Sequence, residues 1–160
     1  SERGSWCGET HIQKSSYVMQ TLRSGTPVWD FVLYKHGPYS FTLHATIDEL
    51  RQMDFLAFIM QPPYGPQIRL SENGTRLLEK LDAKALEYND AIEKTADLLA
   101  GKGVQQLEKI STALLLSKEC NSDDENLLAQ KLHEVKPHIS LPDAVQAVRD
   151  SKQVAYDFTC

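Results

Sequence analysis

Apolar and small residues recur at helical spacing from Thr10 to Leu22. Residues three and four apart lie on one face of an α-helix, so the pattern predicts a helix that Thr10 caps. Gln13 and Lys14 fall outside the predicted apolar face. That face would consist of Ile12, Ser15, Met19 and Leu22.

The next segment alternates between chain breaks and a short apolar run. Ser24 to Pro27 ends the first helix, and Trp29 to Tyr34 is rich in aromatic and β-branched residues. Such a run is typical of a strand or an extended connector, although a helix is the alternative. Gly37 and Pro38 then break the chain again.

A second amphipathic helix is predicted after this break, with apolar positions spaced by four, three and three. Ser40 or Thr42 would cap it. We expect it to be the second helix of a helix-turn-helix pair. Its apolar face would consist of Leu43, Ile47, Leu50 and Met53.

Residues 55–70 are predicted to form a hairpin. The run from Phe55 to Met60 is too short and too apolar for a free helix, and the prolines after it cannot continue a strand ladder. Gln67 to Leu70 would return as the partner strand. Because a hairpin follows a helix in a winged-helix domain, this hairpin is the candidate wing.

Helical patterns continue through the C-terminal part of the chain. Apolar residues from Leu78 to Leu99 are spaced by three or four and predict one helix from Thr75 to Ala100, roughly 40 Å long. A helix of that length exceeds a small domain, so it needs a partner in this chain or in a second copy. Gly101 to Gly103 would end it.

Three shorter helices are predicted after this stop. The first covers Val104 to Lys118, and the second begins at Ser122, which has capping-box spacing to Glu125. Lys136-Pro137 ends the second helix, and Ser140 would cap the third. These helices predict a small bundle.

The patterns together predict a mainly α fold with a small β-hairpin. Residues 1–72 would form a winged-helix-like part, and residues 73–160 a helical-bundle extension that packs with it as a single domain. A chain of 160 residues is long enough for one buried core and short for two.

Composition narrows the classes of partner. The formal net charge is -5, and all of it comes from residues 71–160, which hold eleven Lys and Arg against sixteen Asp and Glu. A nucleic-acid-binding domain normally has a dense basic surface, which this chain lacks. The longest apolar runs are far shorter than the roughly 20 residues that span a bilayer. Three widely spaced cysteines without a CxxC motif fit a reducing cytoplasm, where we expect the protein.

Catalytic chemistry has little support in the sequence. Cys7 and His11 are four residues apart, the spacing of a metal-ligand pair or of a Cys-His nucleophile on one helix face. No second pair at zinc spacing follows, and no HExxH, GxSxG or phosphate-binding glycine loop is present. We predict no catalytic residue, metal or cofactor, and an enzyme that uses Cys7 and His11 is the third hypothesis.

The candidate contact residues lie around the Gly37-Pro38 break and on the hairpin. Basic side chains there could bind phosphate, but Asp48, Glu49 and Asp54 lie among them. We therefore predict a protein-binding surface, with a winged-helix DNA-binding regulator as the alternative. The predicted surface consists of Lys35, His36, Tyr39, Arg51, Tyr64 and Arg69.

A Gln-Lys pair and a Tyr in the segment Thr10 to Tyr17, followed by the turn Tyr34 to Ser40, resemble a known family. These motifs are similar to those of the Panacea or SocA-like group of bacterial and phage proteins, especially its uncharacterised YwgA-like relatives with a YGPYS-type turn. His36 stands where such versions usually have Tyr. Also similar are Leu50 to Phe55, the Pro-Pro-Tyr-Gly-Pro turn, Leu107 to Leu115 and Lys136 to Ser140.

The resemblance implies a non-enzymatic role and no catalytic residues. Members of the group are implied to act as antitoxins, or as adaptors that hold a toxin and present it to a protease. The sequence therefore favours a cytoplasmic protein-interaction module with an antitoxin, adaptor or regulatory role. Its partner would be a protein such as a toxin or a protease substrate, and a homodimer through the long helix is a further expectation.

Overall fold

A computed structural model describes residues 7–23, 25, 27–80 and 88–160. In these ranges the chain forms seven helices and two antiparallel two-stranded sheets, so the predicted class, mainly α with a small β content, is confirmed. In chain order the elements are α1 (Glu9–Leu22), β1 (Val32–Tyr34), β2 (Gly37–Tyr39), α2 (Phe41–Gln52), β3 (Leu56–Gln61), β4 (Tyr64–Leu70), α3 (Glu72–Leu78), α4 (Asn89–Leu99), α5 (Val104–Cys120), α6 (Glu125–Val135) and α7 (Leu141–Thr159).

The connection between α1 and α2 is not the predicted helix-turn-helix turn. The run from Trp29 to Tyr34 contains strand β1, and β2 pairs with it so that Tyr34 lies opposite Gly37 and Leu33 opposite Pro38. Proline lacks a backbone donor but is tolerated on an edge strand, which both strands of a two-stranded sheet are. A hairpin therefore stands where a simple break was expected, and the strand alternative for Trp29 to Tyr34 is correct.

Helix α2 and the hairpin of residues 55–70 form where the sequence pattern places them, but Met53, predicted on the apolar face of α2, follows the helix and is 61% exposed. Ser40 caps α2, since its hydroxyl accepts a hydrogen bond from the backbone N–H of Leu43 at 3.2 Å. β3 and β4 form the expected hairpin around a cis Pro62-Pro63 tip, although β4 already begins at Tyr64. The apolar face of α2 packs on this hairpin. Its buried core consists of Leu43, Ile47 and Ile68, with Ile12 of α1 packed against it.

The single helix predicted from Thr75 to Ala100 is wrong. α3 ends at Leu78, Glu79 and Lys80 form a turn, and α4 starts only at Asn89. The intervening predicted positions 81–87 lie outside the described residues. Leu78, the last residue of α3, is 55% exposed, so no apolar burial at that end favours a longer helix. The length argument for a homodimer through this helix therefore loses its basis.

Helices α5, α6 and α7 pack around an apolar core that includes Leu116, Leu128, Leu132 and Val148. α1 joins this part as well, because Val18 packs with Leu107 and Ile110 of α5. The first helix thus contributes to a core formed mainly by C-terminal elements. The boundary between residues 72 and 73 stays a prediction.

Two helices have N-cap residues that differ from the predicted ones. Gly8, not Thr10, precedes α1. Asp124, not Ser122, caps α6, since its carboxylate accepts a hydrogen bond from the backbone N–H three residues on at 2.9 Å. The Ser122 hydroxyl instead accepts from the Asp124 N–H and shapes the loop before the helix. Ser140 is confirmed as the cap of α7.

Candidate functional site

Lys35 and His36 form the exposed tip of the β1–β2 hairpin. Gly37 follows with φ of +87°, and a Cβ there would lie 2.6 Å from Thr112 Oγ1 on α5. Both the backbone angle and the close approach require glycine. The hairpin is therefore pressed against α5 directly behind its tip.

Gln13 and Lys14 of α1 hold this hairpin, contrary to the prediction that they lie outside the buried face. The Gln13 amide pairs with both backbone groups of Ser40, donating from Nε2 at 3.0 Å and accepting at Oε1 at 2.9 Å. Lys14 is 2% exposed and donates from Nζ to the Pro38 carbonyl at 2.8 Å. Buried backbone groups of the hairpin need partners, and these two polar side chains provide them.

A second buried lysine holds the opposite strand. Lys136 follows α6 and donates from Nζ to the carbonyl of Tyr34 at 2.8 Å and to that of Lys35. The segment Lys136 to Ser140 thus does more than connect two helices. We call Gln13, Lys14 and Lys136 the clamp.

Glu108 of α5 is a buried carboxylate beside the two lysines of the clamp. Its carboxylate oxygens lie 3.7 Å from Lys136 Nζ, 3.8 Å from His36 Nδ1 and 3.6 Å from His138 Nε2. Burial lowers the pKa of Lys14 to about 8; Glu108 opposes this shift and Lys136 adds to it. Buried charges seldom add net stability, so we explain the cluster by the single hairpin geometry that it imposes.

Three aromatic rings stand on the clamped hairpin and at the start of α2. The ring centroids of Tyr34 and Tyr39 are 5.5 Å apart, those of Tyr34 and Phe41 5.6 Å, and those of Tyr39 and Phe41 5.1 Å. Tyr34 is 54% exposed and Phe41 58% exposed. We call these three residues the aromatic patch. Exposed aromatic clusters of this kind are typical of surfaces that bind another molecule.

A carboxylate borders the aromatic patch. Glu9 Oε1, in the first turn of α1, accepts from the Tyr39 hydroxyl at 3.3 Å and lies 2.7 Å from His44 Nδ1. Burial, together with the negative charge of Glu9, raises the pKa of Tyr39 to about 12, so the phenol stays protonated and donates. His44 also lies 3.5 Å from Asp48. Between α1 and the hairpin is a cleft of about 300 Å³ lined by Glu9, Lys14, Lys35, His36, Tyr39 and His44.

The six predicted contact residues divide between two places. Lys35, His36 and Tyr39 line this cleft. Arg51 lies in the last turn of α2, about 15 Å along the helix from its start, with its guanidinium 4.5 Å from the centre of the Phe58 ring. Arg69 is on β4, and its Nε donates to Gln67 at 2.9 Å.

Tyr64, the sixth residue, opens β4, but its side chain is outside the described part of the structure. The predicted surface is thus a hairpin group and a separate wing group, and only the hairpin group adjoins the aromatic patch. Whether either group binds a partner stays a prediction.

Cys7 and His11 do not share a helix face, because α1 begins at Glu9 and Cys7 precedes it. Both instead line a separate cavity beside α4. Burial raises the pKa of the Cys7 thiol and lowers the pKa of His11. Both shifts favour the neutral forms, whereas an activated Cys-His pair needs a thiolate. Within the described ranges, no group of three or more His, Cys, Asp or Glu side chains is placed to hold a metal ion.

Sequence reasoning missed the clamp and two of the three rings. Gln13, Lys14 and Lys136 are polar residues in helical or turn patterns, which normally face water, and only their place in the resembling motifs singled them out. Tyr34 and Phe41 lie close in sequence to Lys35 and Tyr39, which were predicted as contact residues. Their exposure follows from the β1–β2 hairpin, which the sequence pattern did not predict.

Two further observations bear on the class of protein. None of the helices in the described ranges is long and apolar enough to cross a membrane. The chain matches no protein-family model and no curated protein sequence.

Proposed function

We propose that the protein is a non-enzymatic, cytoplasmic interaction module that binds a protein partner through the aromatic patch. One observation carries the proposal: Tyr34, Tyr39 and Phe41 form a partly exposed ring cluster where the start of α2 meets a hairpin that buried side chains hold in place. Large aromatic side chains contribute much contact area for little conformational entropy, and they are enriched among the residues that dominate binding energy.

The clamp supports this proposal through its effect on the entropy of binding. A flexible loop loses conformational freedom when a partner orders it, which weakens the complex. Here Lys14 and Lys136 already bind the carbonyls of Pro38, Tyr34 and Lys35 in the free protein. The rings are therefore held in one arrangement before binding. Most of the conformational entropy of the hairpin has then already been lost during folding.

The charges around the patch favour a protein over a nucleic acid. Glu9 contacts Tyr39, and Asp48 lies beside His44 on α2. Carboxylates at these positions would repel a phosphate backbone. Arg51, the basic residue at the end of α2, stacks on Phe58. We therefore do not advance the DNA-binding alternative.

The proposed role is that of an antitoxin, adaptor or regulator. It rests on the resemblance to the Panacea or SocA-like group, whose Gln-Lys and Gly-Pro-Tyr-Ser motifs coincide with the clamp and the hairpin. The partner would then be a toxin or a protease substrate, and the aromatic patch would receive an apolar segment of it.

The test compares affinity captures from native lysate with the wild type, Tyr34→Ala, Phe41→Ala and Tyr156→Ala. Tyr156 is 66% exposed on α7 and outside the patch, so its loss is a matched control for removing a surface ring. We expect at least one protein that the wild type and Tyr156→Ala retain and that both patch variants lose by about tenfold or more.

Equal capture by all four proteins would contradict the patch as the binding surface. The role is tested separately by co-expression with the neighbouring reading frame: growth arrest by that frame alone, relieved by the wild type and not by Phe41→Ala, is expected. A neighbour without toxicity would remove the antitoxin role while leaving the interaction module intact.

A further inference from the structure

A second cavity lies away from the aromatic patch, between α1, α4 and the start of α5. Its volume is about 480 Å³, within the 300–1,000 Å³ range of small-molecule sites. Most of its wall is apolar. The apolar wall residues include Ile12, Met19, Trp29, Leu99 and Leu107.

His11 is the polar anchor of this cavity. The side chain is 8% exposed, and its Nδ1 has no hydrogen-bond partner among the described residues. Burial lowers the pKa of His11, and the backbone of Lys102 only partly opposes this shift, so the ring is held in its neutral form. A neutral imidazole has one N–H and one lone pair, and we place the lone pair on Nδ1, the nitrogen left without a partner.

The other polar side chains of the wall leave His11 Nδ1 without a hydrogen bond; they are Cys7, Ser15, Ser16 and Thr95. Thr95 donates its hydroxyl proton to the Ala91 carbonyl at 2.6 Å within α4. Burial keeps the Cys7 thiol neutral by raising its pKa, and a thiol is a weak donor. A buried acceptor left without a donor is unfavourable, and most native structures satisfy it with a ligand, a water or a side chain.

We propose that this cavity binds a small, mainly apolar molecule that carries one hydrogen-bond donor, and that this donor is received by His11 Nδ1. The apolar walls accommodate the body of the molecule, and the hydrogen bond to His11 Nδ1 sets its orientation. A hydroxyl or ring N–H on an aromatic body has this chemistry.

The test uses indole, which has one ring N–H, and benzothiophene, which has nearly the same shape and no donor. We expect indole to bind and benzothiophene to bind roughly tenfold more weakly, because it leaves His11 Nδ1 unpaired. Nitrogen-15 labelling of histidine allows His11 to be observed by NMR. The free protein should show the Nε2–H tautomer, and indole alone should shift the Nδ1 signal.

Two variants complete the experiment. His11→Phe keeps a ring but removes the acceptor, so indole and benzothiophene should then bind equally. Phe41→Ala lies in the aromatic patch and should bind indole like the wild type, which separates this site from the proposed function. The proposal is overturned if neither compound binds the wild type, or if the two bind equally well.

Discussion

Lys14 Nζ and the carbonyl oxygen of Pro38 are 2.8 Å apart, joined by a hydrogen bond that is buried beneath the β1–β2 hairpin. Gln13, the residue before Lys14, donates a hydrogen bond to the Ser40 carbonyl and accepts one from the Ser40 N–H. Two adjacent side chains of α1 therefore fix both the hairpin that carries the aromatic rings and the cap of α2. The position of the rings therefore depends on buried polar contacts from α1 as well as on Gly37 of the hairpin itself.

Lys14→Met should remove a pH-dependent part of the stability. The pKa of Lys14 is about 8 in the folded protein, below the usual 10.5. Between these values the unfolded chain binds more protons than the folded one, so the free energy of unfolding rises with pH. The rise attributable to Lys14 from pH 8 to 10 is about 2 kcal/mol. Urea denaturation at pH 7, 8, 9 and 10 measures it, and the variant should lack it.

Lys109→Met is the matched control, because Lys109 pairs with Asp143 near the surface. It should keep the rise seen in the wild type. The series stops at pH 10 because two tyrosines oppose the rise above that pH. The pKa of Tyr17 and that of Tyr39 are raised to about 12 in the folded protein. Above pH 10 these tyrosines lose their protons first in the unfolded chain, so the free energy of unfolding falls. An unchanged rise in Lys14→Met would contradict the assignment.

Gly37→Ala should destabilise the protein by about 2–4 kcal/mol, from the positive φ and from the contact with Thr112 Oγ1. Gly65→Ala is the control, since no atom lies within 4 Å of its added Cβ. Thermal and urea unfolding give both values. Adding Thr112→Ala to Gly37→Ala should restore part of the loss by removing the contact, while the backbone strain remains. Equal effects at the two glycines would argue against the close packing on α5.

Gln13→Glu should cost about 3 kcal/mol at pH 7, because the carboxylate is buried and cannot donate to the Ser40 carbonyl. Near pH 5 the loss should shrink as the buried carboxyl takes up a proton and regains a donor. Gln20→Glu is a close control. The Gln20 amide also donates to a backbone carbonyl and accepts from the N–H of the same residue, Trp29, but it is less buried. We expect a loss of about 1 kcal/mol there. If Gln13→Glu also costs only about 1 kcal/mol, the two hydrogen bonds between Gln13 and Ser40 contribute little to stability.

Cys7 should react slowly with iodoacetamide. Its thiol is partly buried and burial raises its pKa, so the reactive thiolate is scarce at pH 7.5. Cys160 is exposed and is the internal reference. Peptide mass spectrometry after a timed reaction should show modification of Cys160 well before that of Cys7. Faster labelling of Cys7 would revive the hypothesis of a reactive Cys-His pair.

Local patterns predicted many of the elements correctly. The cap at Ser40, the hairpin of residues 55–70 and the end of α6 before Pro137 each depend on residues within a few positions of one another. Lys35, His36 and Tyr39 were chosen in the same way and line one cleft, and their role in binding stays a prediction. By contrast, Arg51 and Arg69 were grouped with them as basic side chains, and the structure places Arg51 at the end of α2, against Phe58, and Arg69 on β4.

The sequence by itself determined the mainly helical class, the capped start of α2 and the hairpin after it, because capping, proline and periodicity act over short distances. Only the tertiary structure decided that Gln13, Lys14 and Lys136 turn inward, and that Tyr34, Tyr39 and Phe41 meet as one patch. Lys136 reaches carbonyls 102 and 101 residues away, at Tyr34 and Lys35. The need of those buried carbonyls for donors arises only after the helices have packed, so no local pattern records it.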